Sequence, residues 1–384
     1  MTDEVELELS VGPTPAGPQG RAPAAEVYTA SQWRLMWWKF RKHRVAVASA
    51  AVVLVLYLAA ALCEFLAPYP LQYRRTEYVY APPQRLHLFS DTGLEWRPFV
   101  YGLRGKRHPE TLHRLYEEDR SRRYPVRLLV RGDPYRFWGL FEADLHLVGV
   151  EEGGTLFLLG TDSLGRDLLS RIFYGARISL TIGLIGVTVG FVLGLVIGAA
   201  SGYYGGWVDN LIQRGIEILR SFPSIPLWMA LSAALPQSWT PIQVYFGITL
   251  VLSLIGWTGL ARVVRGKILS LREEDFATAA LVSGASQWRI MWRHLLPSFT
   301  SHIIVSLTLT IPGMILGETA LSFLGLGLRP PITSWGVLLK EAMNVQAVAL
   351  HPWLLVPALF VILTVLAFNF VGDGLRDAAD PYSR

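Results

Sequence analysis

Residues 271–298, LREEDFATAALVSGASQWRIMWRHLLPS, form a polar, helix-forming interruption between two apolar stretches. A long ordered loop on one side of a hydrophobic chain is a natural place for a partner to take hold. Asp275–Ser283 reads as a helix with small side chains at Ala277, Ala279, Ala280 and Ser283, able to sit deep in a groove of another protein. Gly284 permits a positive backbone dihedral and so a sharp change of direction. Ser286 is a candidate N-cap for a second helix, Gln287–Leu295, apolar at Trp288, Ile290, Met291 and Leu295 and basic at Arg289 and Arg293. Pro297 stands where the chain re-enters an apolar stretch, a good first-turn position. Periodicity alone leaves open an amphipathic helix that merely rests on lipid.

Composition bounds the rest. The chain has 384 residues, 52% hydrophobic and 17% charged, with mean hydropathy +0.35. Those values make membrane spans the first expectation. The net charge of +5 is too small to suggest a nucleic-acid surface and fits a bias of basic residues toward one side of a membrane. One cysteine, Cys63, excludes an intramolecular disulfide or a cysteine-built metal site and reads as a small buried hydrophobe. Residues 1–30, rich in Pro, Gly and Ala, read as a disordered tail. The tail is too long for a secretory leader, so residues 31–66 are expected to remain as a juxtamembrane segment and first span.

A bilayer core needs about 20 apolar residues per helix. Six stretches qualify: 45–66, 178–201, 215–235, 243–262, 299–320 and 353–371. The third is interrupted by Glu217, Arg220, Pro223 and Pro226, and the fifth holds Pro312 and runs into Glu318. The expected fold is an all-α polytopic membrane protein of six transmembrane helices. Residues 178–371 make its five-helix core, residues 265–298 a cytoplasmic loop and 372–384 a cytoplasmic tail. Lys39, Arg41, Lys42 and Arg44 precede the first span; Arg262, Arg265, Lys267, Arg272, Arg289 and Arg293 lie between the fourth and fifth. The loop 236–242 has no basic residue, so both termini are expected in the cytoplasm.

Residues 67–160 are basic yet fall on the outer side, which long loops tolerate. Runs at Tyr124–Val130, Tyr135–Leu140 and Leu145–Val150, with turn residues Gly132-Asp133-Pro134 and Gly153-Gly154, predict a small β-rich external insert. A short helix is expected around Glu110–Arg123. Residues 161–177 offer two i, i+4 pairs, Asp162–Arg166 and Asp167–Arg171, which predict an external amphipathic helix. Gly186, Gly190, Gly194, Gly198 and then Gly202 recur every four residues and put a smooth stripe on one helix face. The stripe suits a subunit interface, a pathway lining or packing within the chain. Trp207, Trp239 and Trp353 fall near span ends, as interfacial anchors.

No G-x-x-x-x-G-K-[ST], no H-E-x-x-H and no midplane carboxylate pair is present, so neither nucleotide binding, metal chemistry nor a proton relay is expected of this chain. Glu318 reads as a boundary residue or as a gate or pathway contact. Rival classes are an ion-coupled secondary transporter or channel and an intramembrane enzyme. The first calls for an inverted repeat or buried midplane charges, the second for a catalytic set, and the sequence offers neither.

Ala279-Ala280, then Gly284, then Leu296-Pro297 resemble the EAA loop of importer-type ABC transporter permeases. Residues 255–298 as a whole, with GTDSLGRDLLSRIFYGARISL (160–180), GETALSFLGLGLRPPITSWG (317–336) and AFNFVGDGLRDAADP (367–381), resemble the dipeptide/oligopeptide/nickel branch, in the second-permease position. The resemblance covers about two-thirds of the chain and implies an inner-membrane subunit, not an enzyme. It implies a sister permease, two ABC ATPases carrying ATP and Mg, and an external solute-binding protein. It assigns ATPase coupling to Glu274, Asp275, Thr278, Ala279, Ala280, Gly284, Leu296 and Pro297. It places Asp162, Arg166, Asp167 and Glu318 on the substrate-entry side as candidate contacts. Thr278 departs from the family, which has Glu there. The length of the insert is a second departure, and no cofactor or metal is assigned to this chain.

Overall fold

The structure, a computed structural model, describes residues 32–90, 93–107, 109, 114–151 and 153–380. The expected tail at 1–30 lies outside the described residues. The chain begins with an amphipathic helix α1 (Gln32–Lys42) and turns at His43 into the apolar α2 (Arg44–Ala61). His43 caps α2 by accepting the Ala46 amide at 3.1 Å. A break at Leu62 separates a short turn, α3 (Cys63–Leu66), so the first span ends earlier than 66. Cys63 is fully buried.

The next stretch carries a four-stranded antiparallel meander: β1 (His87–Ser90), β2 (Gly93–Arg107), β3 (Arg114–Phe137) and β4 (Phe141–Val150). Residues 114–123 are strand, paired with β2 from Arg107↔Arg114 onward, and not the helix expected there; 110–113 lie outside the described residues. Cross-strand partners on β2 hold these residues extended. The expected turn at Gly132-Asp133-Pro134 lies inside β3, where the register with β4 shifts between Arg131 and Tyr135.

The second span is one continuous helix, α4 (Leu168–Tyr204). It begins ten residues before the expected boundary. The separate external helix at 161–177 is therefore absent: residues 161–167 form a closed turn with a bridge between Thr161 and Asp167, and Asp167 caps α4. After Gly205 come α5 (Gly206–Ser221) and α6 (Ser224–Ala233). These replace the continuous third span expected over 215–235. Pro223 removes a backbone donor and ends the helix at Phe222, and α5 is amphipathic, with Arg214 paired to Glu217 at 2.7 Å. Among the described residues, five helices are long and apolar enough to cross a membrane, and α6 is a shorter apolar one.

Helix α7 (Pro241–Leu271) starts in a capping box, Thr240 with Gln243. The polar loop at 271–298 follows: α8 (Asp275–Val282), α9 (Gln287–Arg289), a π turn over Ile290–Leu295, and the single turn α10 (Leu296–Ser298). The expected second helix thus changes gauge after Arg289. Pro297 belongs to its own turn, and Phe299 separates it from α11 (Thr300–Phe323), which contains Pro312. Helix α12 (Trp335–Leu339), α13 (Val345–Leu350) and α14 (Val356–Ala379) complete the chain. The helix runs through most of the expected tail, to Ala379.

The glycine stripe faces α7 of the same chain. A Cβ on Gly186 would lie 3.5 Å from Ser253 Oγ, and one on Gly190 3.7 Å from the Trp257 amide. The approach then tightens: 2.9 Å to Leu260 at Gly194, 2.5 Å to the Ala261 carbonyl at Gly198, 2.8 Å to the Arg265 carbonyl at Gly202. Backbones this close leave no room for a side chain. On the other flank, α2, α4, α11 and α14 meet around Leu56, Leu180, Ile315 and Phe368.

Gly198→Ala therefore forces a backbone shift, with an overpacking cost of about 1–3 kcal/mol. Gly266→Ala, on the facing helix α7, meets nothing within 4 Å and gains up to about 1 kcal/mol of helix preference. Thermal unfolding of the purified chain in detergent is expected to show a lower Tm for the first and an equal or higher Tm for the second. Equal behaviour of the two variants would contradict the close seam.

Candidate coupling surface and buried polar clusters

The coupling loop has a buried face and an exposed face. Ala277, Ile290, Met291, Leu295, Leu296 and Phe299 are buried against Ala199 of α4 and Leu260, Val264 and Ile268 of α7. The exposed face carries Glu274, Asp275, Thr278 and Ala279 on α8, then Gly284. Phe276 (43% exposed), Leu281 (57%), Val282 (89%) and Trp288 (64%) add apolar surface beside them. Ala280 is half-buried, Leu296 buried and Pro297 exposed.

Local chemistry shapes the turn. Gly284 has φ +81°, its amide donates to the Leu281 carbonyl at 3.0 Å, and the Ala285 amide to the Ala280 carbonyl at 3.0 Å. This is a Schellman closure, which a glycine accepts without a Cβ penalty. Ser286 then caps α9 by accepting the Arg289 amide at 3.3 Å. Thr278 turns inward on its own helix, its hydroxyl donating to the Asp275 carbonyl at 3.0 Å.

A polar brace unseen in the sequence reading joins α5 to this body. Arg265 of α7 donates from Nε to Asp209 at 2.6 Å, and a second guanidinium nitrogen reaches the other carboxylate oxygen. Ser201 of α4 also donates to Asp209, and Gln213 donates to the Ser201 hydroxyl at 3.1 Å. The Arg265 bond is the chief reason that the Asp209 carboxyl sits below its ordinary value; partial burial works against it and the Ser201 bond assists. Arg265 had counted only as a topological charge, because nothing in the spacing links it to Asp209.

Of the candidate entry-side residues, Asp162, Asp167 and Glu318 are buried and Arg166 is half-buried. Asp162 accepts the Leu164 and Arg166 amides at 2.8 and 2.9 Å, Arg166 Nε at 2.6 Å, and the Arg171 guanidinium. Glu341, not singled out beforehand, faces both arginines at 3.8 and 3.6 Å and accepts the Ser163 amide. Asp167 does not pair with Arg171; it accepts the Ser170 amide and hydroxyl at 2.7 and 2.6 Å. Burial pushes the Asp167 carboxyl up to about 7 against those two bonds. Glu318 is fully buried and accepts hydroxyls from Ser334 (2.5 Å), Ser322 (2.7 Å) and Ser179 (3.3 Å). The Trp335 amide in turn donates to Ser179. These carboxylates are internal fasteners between segments and present no free side chain to a partner. Among the described residues, no group of three His, Cys, Asp or Glu could hold a metal ion.

Five long apolar helices among the described residues, carrying a structured, half-exposed loop, have the make-up of an integral membrane subunit. The chain belongs to the family of binding-protein-dependent transport system inner membrane components, which it matches over residues 190–384; residues 31–83 match the N-terminal TM domain of oligopeptide transport permease C. It is a permease subunit of the ABC importer class, not an enzyme. It is 46% identical over 234 residues to the oligopeptide transport system permease protein OppC of Escherichia coli K12, covering 61% of this chain and 74% of that one. It is 44% identical over 226 residues to OppC of Haemophilus influenzae (59% and 70%). It is also 41% identical over 223 residues to the glutathione transport system permease protein GsiD of Pectobacterium atrosepticum (58% and 72%). A solved inward-facing structure of the MetNI methionine ABC transporter superposes with TM-score 0.43 at 20% identity, over 54% of this chain and 96% of that one.

The Asp209 brace has a pH signature. A depressed carboxyl stabilises the fold above its ordinary value of 3.8, and that contribution is lost as pH falls below 3.8 through the folded value. Asp209→Asn is expected to cost about 1.5–3 kcal/mol at pH 7, the scale of hydrogen bonds to a charged group. Unfolding of both proteins from pH 7 down to 3 should show the gap closing at the acid end. A gap independent of pH would contradict the ion pair.

Proposed function

We propose that this chain forms half of the translocation pathway of an ATP-driven peptide importer and receives force through residues 265–298. The observation that carries this reading is the two-faced loop. Its exposed acidic and apolar knob offers a grip, while its other face is buried in the seam between α4 and α7. A partner that binds the knob differently in its two states would shift the whole seam, and only such differential binding can drive a conformational change.

In this reading a sister permease completes the pathway, two cytoplasmic ATPases bind and hydrolyse ATP with Mg, and an external solute-binding protein delivers substrate. Both termini are cytoplasmic, the sheet-bearing insert at 67–160 is external, and residues 215–235, at the end of α5 and in α6, supply the sixth span, with Asp209 outside it. Exposed Thr278 stands where the family's Glu would meet the ATPase, leaving Glu274 and Asp275 as the acids at that contact. Relatives named for oligopeptide, dipeptide and glutathione transport support small peptides as the substrate class.

The test is uptake of a labelled oligopeptide into proteoliposomes holding the full complex. Gly284→Val puts a β-branched residue at a positive φ and distorts the knob. It is expected to lower ATP-driven uptake about tenfold, on the scale of a coupling free energy of roughly 1–2 kcal/mol, while the complex still copurifies. Unchanged uptake would remove the loop from coupling. Uptake driven by an ion gradient without ATP would favour a secondary transporter instead.

A further inference from the structure

The turn between β3 and β4 is tied to the end of a membrane-spanning helix. Trp138 Nε1 donates to the carbonyl of Ala61, the last residue of α2, at 2.9 Å. The Trp138 amide donates to Glu64 Oε1 at 3.2 Å, and Arg177 of α4 lies 4.2 Å from the centre of the indole ring. Arg177 also grips Glu64, with one bond of 2.5 Å, and donates to the Ala60 carbonyl at 3.0 Å. A second tie lies lower on the hairpin, where the His146 ring nitrogens sit 2.6 Å from the Ala67 carbonyl and 3.0 Å from that of Asp133.

These contacts fix the depth of the turn. Helix α2 has 18 residues, roughly 27 Å at 1.5 Å per residue, close to the hydrocarbon thickness of about 30 Å. Ala61 therefore lies at a boundary of the hydrocarbon core, and the Glu64–Arg177 ion pair lies in the polar layer just beyond. The turn residues nevertheless point apolar surface outward: Leu140 is 82% exposed, Phe141 58% and Trp138 51%. Leu58 and Leu62, at the same end of α2, are exposed too, so the apolar surface runs on from the span to the turn. Trp138 keeps a φ of +51°, a conformation unfavourable for a bulky residue, so the contacts that place its ring also hold the backbone in a costly turn.

We propose that the Phe137–Phe141 turn is an interfacial anchor, with Leu140 and Phe141 inserted at the boundary between lipid headgroups and acyl chains. Trp138 sits beside them at the depth where indole rings are favoured. The occupant is the bilayer itself, in the leaflet that surrounds the Ala61 end of α2. The anchor holds the β3–β4 turn beside the first span.

The test uses the complete transporter in proteoliposomes, with a bimane probe on Leu140→Cys in a Cys63→Ala background. A matching probe on Leu115→Cys, an exposed leucine near the other end of β3, is the control. The expected result is quenching of the Leu140 probe by lipid-borne nitroxides and several-fold weaker quenching by aqueous iodide than at Leu115. Adding Phe141→Asp is expected to reduce the lipid quenching without lowering Tm in detergent, since both side chains are exposed. Iodide quenching equal to that at Leu115, with no lipid quenching, would overturn the proposal. Shielding from both quenchers would overturn it too, by assigning the turn to a protein neighbour.

Discussion

The close approach of α4 to α7 is the constraint on which the rest of the structure depends. At Gly198 and Gly202 the facing atoms are backbone carbonyls and Cα atoms of Ala261 and Arg265, so the two helices touch main chain to main chain. In a bilayer, where apolar side chains gain little from leaving lipid for protein, such packing supplies much of the association. The stripe narrows toward the end that carries the coupling loop. The seam is thus tightest where force would enter.

Ion pairs flank this seam, while along it the polar contact is a neutral one, Ser253 donating to the Gly186 carbonyl at 3.0 Å. Asp209 and Arg265 brace the Gly202 end, and Asp162, Arg171 and Glu341 close the opposite one. Glu318, deep in α11, is surrounded by serine hydroxyls from α4, α11 and the start of α12. Each cluster joins segments far apart in the chain and pairs its charged groups with bonds that water would otherwise supply, as a low-dielectric interior favours, although the buried Arg171 Nε is left without a partner. The arrangement makes α4 a common spine, since Arg171, Arg177, Ser179 and Ser201 all project from it.

What could be read from the sequence is what depends on near neighbours. The four-residue glycine period, the Gly284 turn with Ser286 as cap, and the family resemblance of the loop all rest on spacing within a few turns. The partners of Arg171, Arg265 and Arg177 could not be read, because Glu341, Asp209 and Glu64 are brought to them only by the fold. Reading Asp167–Arg171 as a pair on a helix failed for a related reason. Asp167 spends its carboxylate on the first turn of α4, and Arg171 turns to the better-placed Asp162. Strand pairing likewise overrode the helical look of the charged run after Arg114, and Pro223 overrode the apolar composition of the third expected span.

The same spine carries the sheet. Arg177 stands on α4 about two and a half turns before the first seam glycine, Gly186, and holds Glu64 and the face of Trp138 at once. A rotation of α4 that slid the seam past α7 would therefore pull on the β3–β4 turn through a single guanidinium. The 275–298 loop packs on α4 at one end through Ala199, and the β3–β4 turn meets α4 near the other through Arg177 and the Trp138 ring. Helix α4 is thus held at both ends by segments distant from it in the chain, and between those ends by the close seam with α7.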